Sequence, residues 1–380
     1  MADKPILFIP GFPASELRDA ATQATVFPPS LSTLVSASKK AAFIQRMTNV
    51  PGDLVAGPPI RDVLGIAKQA QSLYDILDKF GYSSFEAVGW DWRLSIADLA
   101  VLDRVVDAVD RLGDGIVAII HSTGGLVFRA FLEAHPELTS RFEQVMAFGV
   151  PWRGTFEALR AITVGESAGF LFERLTASES REIMSHARAA FDLLPQNARF
   201  SEEFDALPVT NVCGWGADTW TSAQWAHSKD AGDGTVPLWS SSFITGANVR
   251  TFFLPIGSYA EANIPYPHPH IWDAPPVEQL FDQVLNDAPP KPFLCACADS
   301  DDAIDYDRDV DVRVSASVPD CKVTVDIDGT DIPLNAEGRG AFIVKREGII
   351  HNVANDVYRF NVVFEWSGGS AKRAVSFRSP

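Results

Sequence analysis

The stretch that most constrains this chain is a buried strand that breaks, within two residues, into a helix. Gly115-Ile116-Val117-Ala118-Ile119-Ile120 is apolar throughout, rich in β-branched residues and without polar alternation, which predicts a strand covered on both faces. His121-Ser122-Thr123 follows, then Gly124-Gly125 and the apolar run Leu126 to Leu132, which reads as a buried helix. A strand covered on both faces and feeding straight into a helix belongs to a layered α/β fold. A serine at such a turn projects its hydroxyl beyond the sheet edge. The amide of Thr123 then sits at a helix N-terminus, where unpaired N–H groups and the helix dipole favour negative charge. Ile120 is bulky where this kind of turn ordinarily takes a small residue, so crowding is expected there.

The rest of the chain repeats the alternation. Apolar segments Pro5–Ile9, Phe85–Trp90, Gln144–Val150, Val209–Gly214 and Val249–Leu254 read as further strands. Helical patterns at Ile66–Phe80, Ala97–Arg111, Leu126–Ala134 and Val277–Asn286 separate most of them. The expected fold class is α/β, a mostly parallel sheet with helices on both faces. Ligands of such sheets bind beyond the carboxyl ends of the strands. Two intervals, 13–65 and 153–208, leave from that edge and are expected to form a cap. Phe170, Phe172 and Met184 in the second interval either line a hydrophobic substrate pocket or form the cap's own core.

Two later segments carry groups that would complete a nucleophilic serine. Asp233 stands between glycines in Gly232-Asp233-Gly234-Thr235-Val236-Pro237, and Pro267-His268-Pro269-His270-Ile271-Trp272 follows the last strand. Among seven histidines these two lie where a serine–acid–histidine order places its base. Histidine is the side chain whose ordinary pKa lets it take and return a proton near neutrality. Asp218 and Asp230 are rival acids without the glycine flanks. His121, beside the serine, reads as a packed neighbour.

Several motifs together resemble one family. Pro10-Gly11-Phe12, Val26-Phe27-Pro28-Pro29-Ser30-Leu31, Trp90-Asp91-Trp92-Arg93-Leu94, His121-Ser122-Thr123-Gly124-Gly125, Val150-Pro151-Trp152-Arg153-Gly154-Thr155, Phe191-Asp192-Leu193-Leu194-Pro195 and the Asp233 loop occur in this order. Over about residues 4–288 the chain resembles the lecithin:cholesterol acyltransferase-like branch of the α/β-hydrolases. The resemblance implies Ser122 as nucleophile, Asp233 as acid, and the amides of Phe12 and Thr123 as oxyanion donors. Pro13 has no N–H to offer. For the base it implies His270, by its spacing to the final helix, with His268 as the alternative. The implied reaction is cleavage of hydrophobic or lipid-like carboxylic esters through an acyl-enzyme, with no cofactor and no metal. A transacylase using the same triad and an inactive hydrolase core that only binds are the two alternatives. Asp91 with Arg93 is expected to be a buried structural pair.

Composition fits this reading. The 380 residues are 46% hydrophobic and 21% charged, as in a compact globular chain, and the formal net charge of −17 argues against nucleic acid and anionic membrane surfaces. A small-molecule hydrophobic ester is the expected partner, and oligomeric state is not readable. No run of about 18 apolar residues spans a membrane. Met1-Ala2-Asp3-Lys4-Pro5 has no signal-peptide pattern, which gives a cytoplasmic expectation unless a signal has been removed.

Past residue 288 the pattern changes. The expected division is a hydrolase-like domain at 1–288, a Pro- and Asp-rich linker at 289–306, and a β-sandwich-like domain at 307–380. Val310-Val312-Val314, Val323-Val325-Ile327, Ala341-Ile343 and Tyr358-Phe360-Val362-Phe364-Trp366 each alternate with other residues, and Asp328-Gly329, Glu337-Gly338 and Gly368-Gly369 are turn signals. The aspartates from Asp299 to Asp311 read as a solvated linker, calcium being the other reading. Cys295, Cys297 and Cys321 match no zinc spacing, and Cys213 reads as a buried apolar residue.

Overall fold

The computed structural model describes residues 4–63, 67–68, 70–165, 175–195, 200–215, 217–220, 227–256, 268–286, 294–298, 312–316, 322–327, 330–333, 336–337, 341–344, 357–367 and 369–378. Six strands form one sheet: β1 (Ile6–Ile9), β2 (Phe85–Ala87), β3 (Ile116–His121), β4 (Phe142–Phe148), β5 (Val209–Trp215) and β6 (Val249–Pro255). Their order is β6-β5-β4-β3-β1-β2, and every pairing is parallel. All six are the strands expected from the apolar runs.

The lack of alternation in these runs has a direct cause. Leu7, Ile9, Ile116, Ala118, Ile120, Val145 and Ala147 pack on one face, against helices Leu99–Leu112 and Thr123–Ala134. Ile6, Phe8, Val117, Ile119, Met146, Phe148 and Val212 pack on the other, against helices Gln71–Phe80 and Pro275–Leu285. Successive strand side chains alternate between faces, and here both faces are dry. Each fully buried Val, Leu, Ile, Phe or Met side chain among them contributes roughly 1.5–3 kcal/mol.

The first interval beyond the sheet edge is not mainly helical. It holds an antiparallel three-stranded sheet, with Ser15–Asp19 between Thr25–Phe27 and Leu54–Pro59. Helices Leu31–Val35 and Ala37–Thr48 complete it, each capped by a serine, Ser30 and Ser36. The second interval holds helices Phe156–Thr163, Ala177–His186 and Arg188–Asp192. Lys40 of the first interval reaches Glu179 of the second at 2.8 Å. Phe43, Ile44 and Met47 share a core with Ile183 and Met184.

The C-terminal region contains two antiparallel four-stranded sheets. One runs Leu294–Ala298, Val312–Ala316, Ala341–Val344, Ala336–Glu337; the other runs Thr330–Pro333, Lys322–Ile327, Val357–Trp366, Gly369–Arg378. Leu294–Ala298 lies in the stretch expected to be linker, and it is a strand because Val312–Ala316 offers it a partner edge. Residues 299–311 and Cys321 lie outside the described residues, so the calcium and zinc readings find no geometry here.

Candidate active site

Ser122 lies where β3 hands over to the helix Thr123–Ala134, with φ +52° and ψ −132°. Positive φ in a non-glycine residue costs of order 1–3 kcal/mol and persists only where the surroundings impose it. Here the Ser122 N–H donates to the Phe148 carbonyl at 3.0 Å, and the Ser122 carbonyl accepts from Gly125 N–H at 3.0 Å. The turn is thus bonded on both sides.

Ile120 is fully buried in the core beneath the turn, paired in register with Ile9 and Ala147. A close approach falls at Gly124, where a Cβ would lie 2.2 Å from the Ile9 carbonyl oxygen. The small residue that this turn requires is on the helix side of the serine.

The loop after β1 passes directly over Ser122. A Cβ on Gly11 would lie 2.6 Å from Ser122 Cβ and 3.1 Å from Oγ. Phe12, the next residue, packs edge-on against Trp92 at 5.2 Å. Trp90 Nε1 donates to the Pro10 carbonyl at 2.9 Å, and Trp90 N–H donates to Ser15 Oγ at 3.1 Å. Arg93, fully buried, closes on Asp91 through Nε and Nη2 at 2.9 and 2.7 Å and also donates to the carbonyls of Arg46, Asn49, Pro51 and Leu54. The Trp-Asp-Trp-Arg segment therefore holds both the 10–15 loop and the 46–54 loop. A buried pair satisfied this completely is a structural clamp.

Asp233 follows the hairpin Ala217–Trp220/His227–Gly232. Its carboxylate is wholly enclosed, with Oδ1 accepting from Thr235 N at 3.1 Å and Val236 N at 2.7 Å. Its Oδ2 lies 2.6 Å from Nδ1 of His268, which is 6% exposed. His270, the histidine implied by the family spacing, pairs with Asp273 at 2.8 Å, and the alternative, His268, is the one that meets the Asp233 carboxylate. The two stand at positions one and three of the 3₁₀ segment His268–Asp273, so their rings leave in different directions. His268 Nε2 is buried and has no hydrogen-bond partner among the described residues. A Cβ on Gly149 would lie 2.8 Å from Asp233 Oδ2 and 3.0 Å from His268 Cε1, and Gly149 directly follows the residue bonded to Ser122. The end of strand β4 thus runs between Ser122 and the Asp233–His268 pair.

The remaining expected residues divide three ways. Thr123 is the first residue of the helix. Met184 has no exposed surface and belongs to the packed core, as the cap-core reading has it. Phe170 and Phe172 lie outside the described residues. Sequence reasoning gave no specific role to His121, whose ring packs between those of His268 and Trp272. Burial, chiefly, holds the His121 imidazole well below its usual pKa, with the neighbouring His268 acting in the same direction.

The motifs interlock around the site. Thr155 Oγ1 donates to the Thr235 carbonyl at 2.5 Å, and Ser240 Oγ donates to the Gly154 carbonyl at 2.7 Å. Asp192 accepts from Ser95 Oγ and Ile96 N at 2.7 and 2.9 Å. Among the described residues, no helix is long and apolar enough to cross a membrane.

A family profile described as lecithin:cholesterol acyltransferase matches residues 63–240. Among solved structures, the chain is similar to the mature form of the Bacillus licheniformis lipase BlEst2, at 13% identity over 75% of this chain and 92% of that one, with a TM-score of 0.39. It is also similar to the Listeria innocua lin2722 gene product, at 14% identity over 76% and 95%, TM-score 0.34. A third is Paleococcus ferrophilus monoacylglycerol lipase, at 15% identity over 49% and 78%, TM-score 0.31. No curated protein matches the chain.

Proposed function

We propose that the chain is a lecithin:cholesterol acyltransferase-like α/β-hydrolase and acts as a serine hydrolase of hydrophobic carboxylic esters, with Ser122 as nucleophile, His268 as base and Asp233 as acid. The observation that carries this reading is the 2.6 Å contact of Asp233 Oδ2 with His268 Nδ1, set beside a serine held at positive φ. An ionised carboxylate has no proton to give, so Nδ1 of the imidazole carries it. Nε2 is then left with its lone pair, the form a base needs.

In the proposed cycle Ser122 Oγ attacks the ester carbonyl carbon as His268 Nε2 takes its proton. The carbonyl oxygen becomes an oxyanion facing the amides of Phe12 and Thr123. Collapse of the tetrahedral intermediate breaks the bond to the alcohol oxygen, which receives the proton from His268. Water, activated by the same imidazole, then releases the acid and restores Ser122. Asp233 keeps the tautomer and stabilises the imidazolium. Losing one oxyanion donor costs about 10²–10³ in turnover in comparable sites.

The matched family is described as an acyltransferase, which supports a second outcome from the same acyl-enzyme, capture by an alcohol instead of water. Assays with a p-nitrophenyl ester, with and without a long-chain alcohol, separate the two by the ester product formed. Ser122→Ala abolishes p-nitrophenolate release with the fold intact, and a fluorophosphonate probe labels Ser122 in the wild type. Undiminished turnover in Ser122→Ala overturns the serine mechanism.

A further inference from the structure

His121 is separated from Ser122 by one peptide bond and belongs to the same rigid strand, yet its side chain is directed at His268. Its Nε2 lies 3.2 Å from the His268 carbonyl oxygen. A carbonyl only accepts, so this nitrogen carries the proton and donates. The His121 ring also packs on the His268 ring, centroids 4.7 Å apart and planes 31° apart. It also meets the Trp272 ring at 4.6 Å, and Trp272 in turn makes edge-on contacts with Phe8 and Phe148 of the sheet core at 6.0 and 5.4 Å. A chain of ring contacts therefore runs from the sheet interior to His268.

Asp233 fixes one nitrogen of His268, and a single such contact does not by itself define the plane of the ring. The His121 N–H fixes the backbone of residue 268, and the ring face limits the swing. We propose that His121 is a positioning residue for His268, a tether from the strand bearing Ser122 to the imidazole that serves it. The inference rests on the reading of Ser122, His268 and Asp233 given above. In this proposal His121 acts only through His268.

The test compares the wild-type full chain with two variants that divide the contact. His121→Phe keeps a ring face and loses the N–H; His121→Gln keeps a donor and loses the ring. Second-order labelling by a fluorophosphonate and steady-state turnover of p-nitrophenyl butyrate are measured on all three. Displacing a catalytic group by a fraction of an ångström lowers chemistry more than binding. Both variants should label at least about tenfold more slowly, with kcat reduced and KM within about twofold of the wild type. If one variant does not fold, the other carries the comparison. Equal labelling rates across the folded proteins overturn the positioning role and leave the serine reading intact. A wild type that takes no label at Ser122 overturns both.

Discussion

Asp233 binds His268 with one carboxylate oxygen and its own loop with the other. Oδ2 meets Nδ1 of His268 at 2.6 Å, while Oδ1 accepts the amides of Thr235 and Val236. This division of labour determines what Asp233→Asn does. The two backbone amides retain the remaining oxygen, so the new NH₂ group faces His268 and donates to Nδ1. The imidazole must then carry its proton on Nε2 and cannot take one from Ser122. Turnover of a p-nitrophenyl ester should fall about 10³–10⁴-fold with little change in melting temperature. A loss below about tenfold would remove Asp233 from the proposed triad.

The two late histidines make a sharper pair of variants. His268→Ala should reduce turnover by several orders of magnitude, because no other described base meets Asp233. His270→Ala loses only its local pair with Asp273, a partly exposed i,i+3 contact, and should keep kcat/KM within about threefold. Steady-state kinetics on both decide the assignment. The reverse pattern would restore His270 as the base.

These histidines also mark where the sequence stopped being informative. The six sheet strands were legible because both faces of the sheet are buried, which leaves unbroken apolar runs. Ser122 and Asp233 were legible because a strand-to-helix turn and a glycine-flanked acid have local requirements. His268 and His270 lie two residues apart in a Pro-His-Pro-His run, and nothing local says which ring reaches a carboxylate 35 positions away. The antiparallel sheet around Ser15–Asp19 was missed because its strands are short, and one of them, Leu54–Pro59, ends in two prolines. Leu294–Ala298 was hidden by the prolines before it and the aspartates after it. The close contact at Gly124 was hidden for a related reason: it involves a carbonyl of a different strand.

Gly11 offers a test of the loop above the nucleophile. A methyl group there would stand 2.6 Å from Ser122 Cβ and 3.1 Å from Oγ, and neither the strained serine nor the bonded loop yields easily. Gly11→Ala should displace Oγ or the Phe12 amide, and kcat for an activated ester should drop about 10²-fold. Denaturant unfolding should separate this from general damage, since the midpoint should move far less than activity does. Wild-type kcat in a folded variant would mean that the loop stands elsewhere.

The Asp91–Arg93 clamp predicts a stability effect without a direct role in chemistry. Removing the carboxylate in Asp91→Ala leaves a fully buried guanidinium facing only backbone carbonyls. Breaking one side of such a pair costs about 3–5 kcal/mol. The urea midpoint should fall accordingly with little change in slope. Adding Arg93→Met to this variant should recover part of the loss, because the uncompensated charge is then gone. A midpoint unchanged in the single variant would contradict the clamp.

Glu157 connects stability to pH through a different kind of burial. It sits in the first turn of the helix Phe156–Thr163, where desolvation, opposed weakly by Arg160, pushes its carboxyl from 4.5 up to about 7. Below the unfolded value both states hold the proton and the group contributes no pH dependence. As pH rises from about 4.5 to about 7 the unfolded chain releases its proton while the folded chain retains it, so stability falls through that window and levels off above it. Glu157→Gln removes the ionisable group and should flatten this part of the profile. The variant should therefore gain on the wild type progressively, and most above about pH 7. Urea midpoints for both proteins at points across the window provide the measurement, and parallel profiles would show that the Glu157 carboxyl is not shifted by folding.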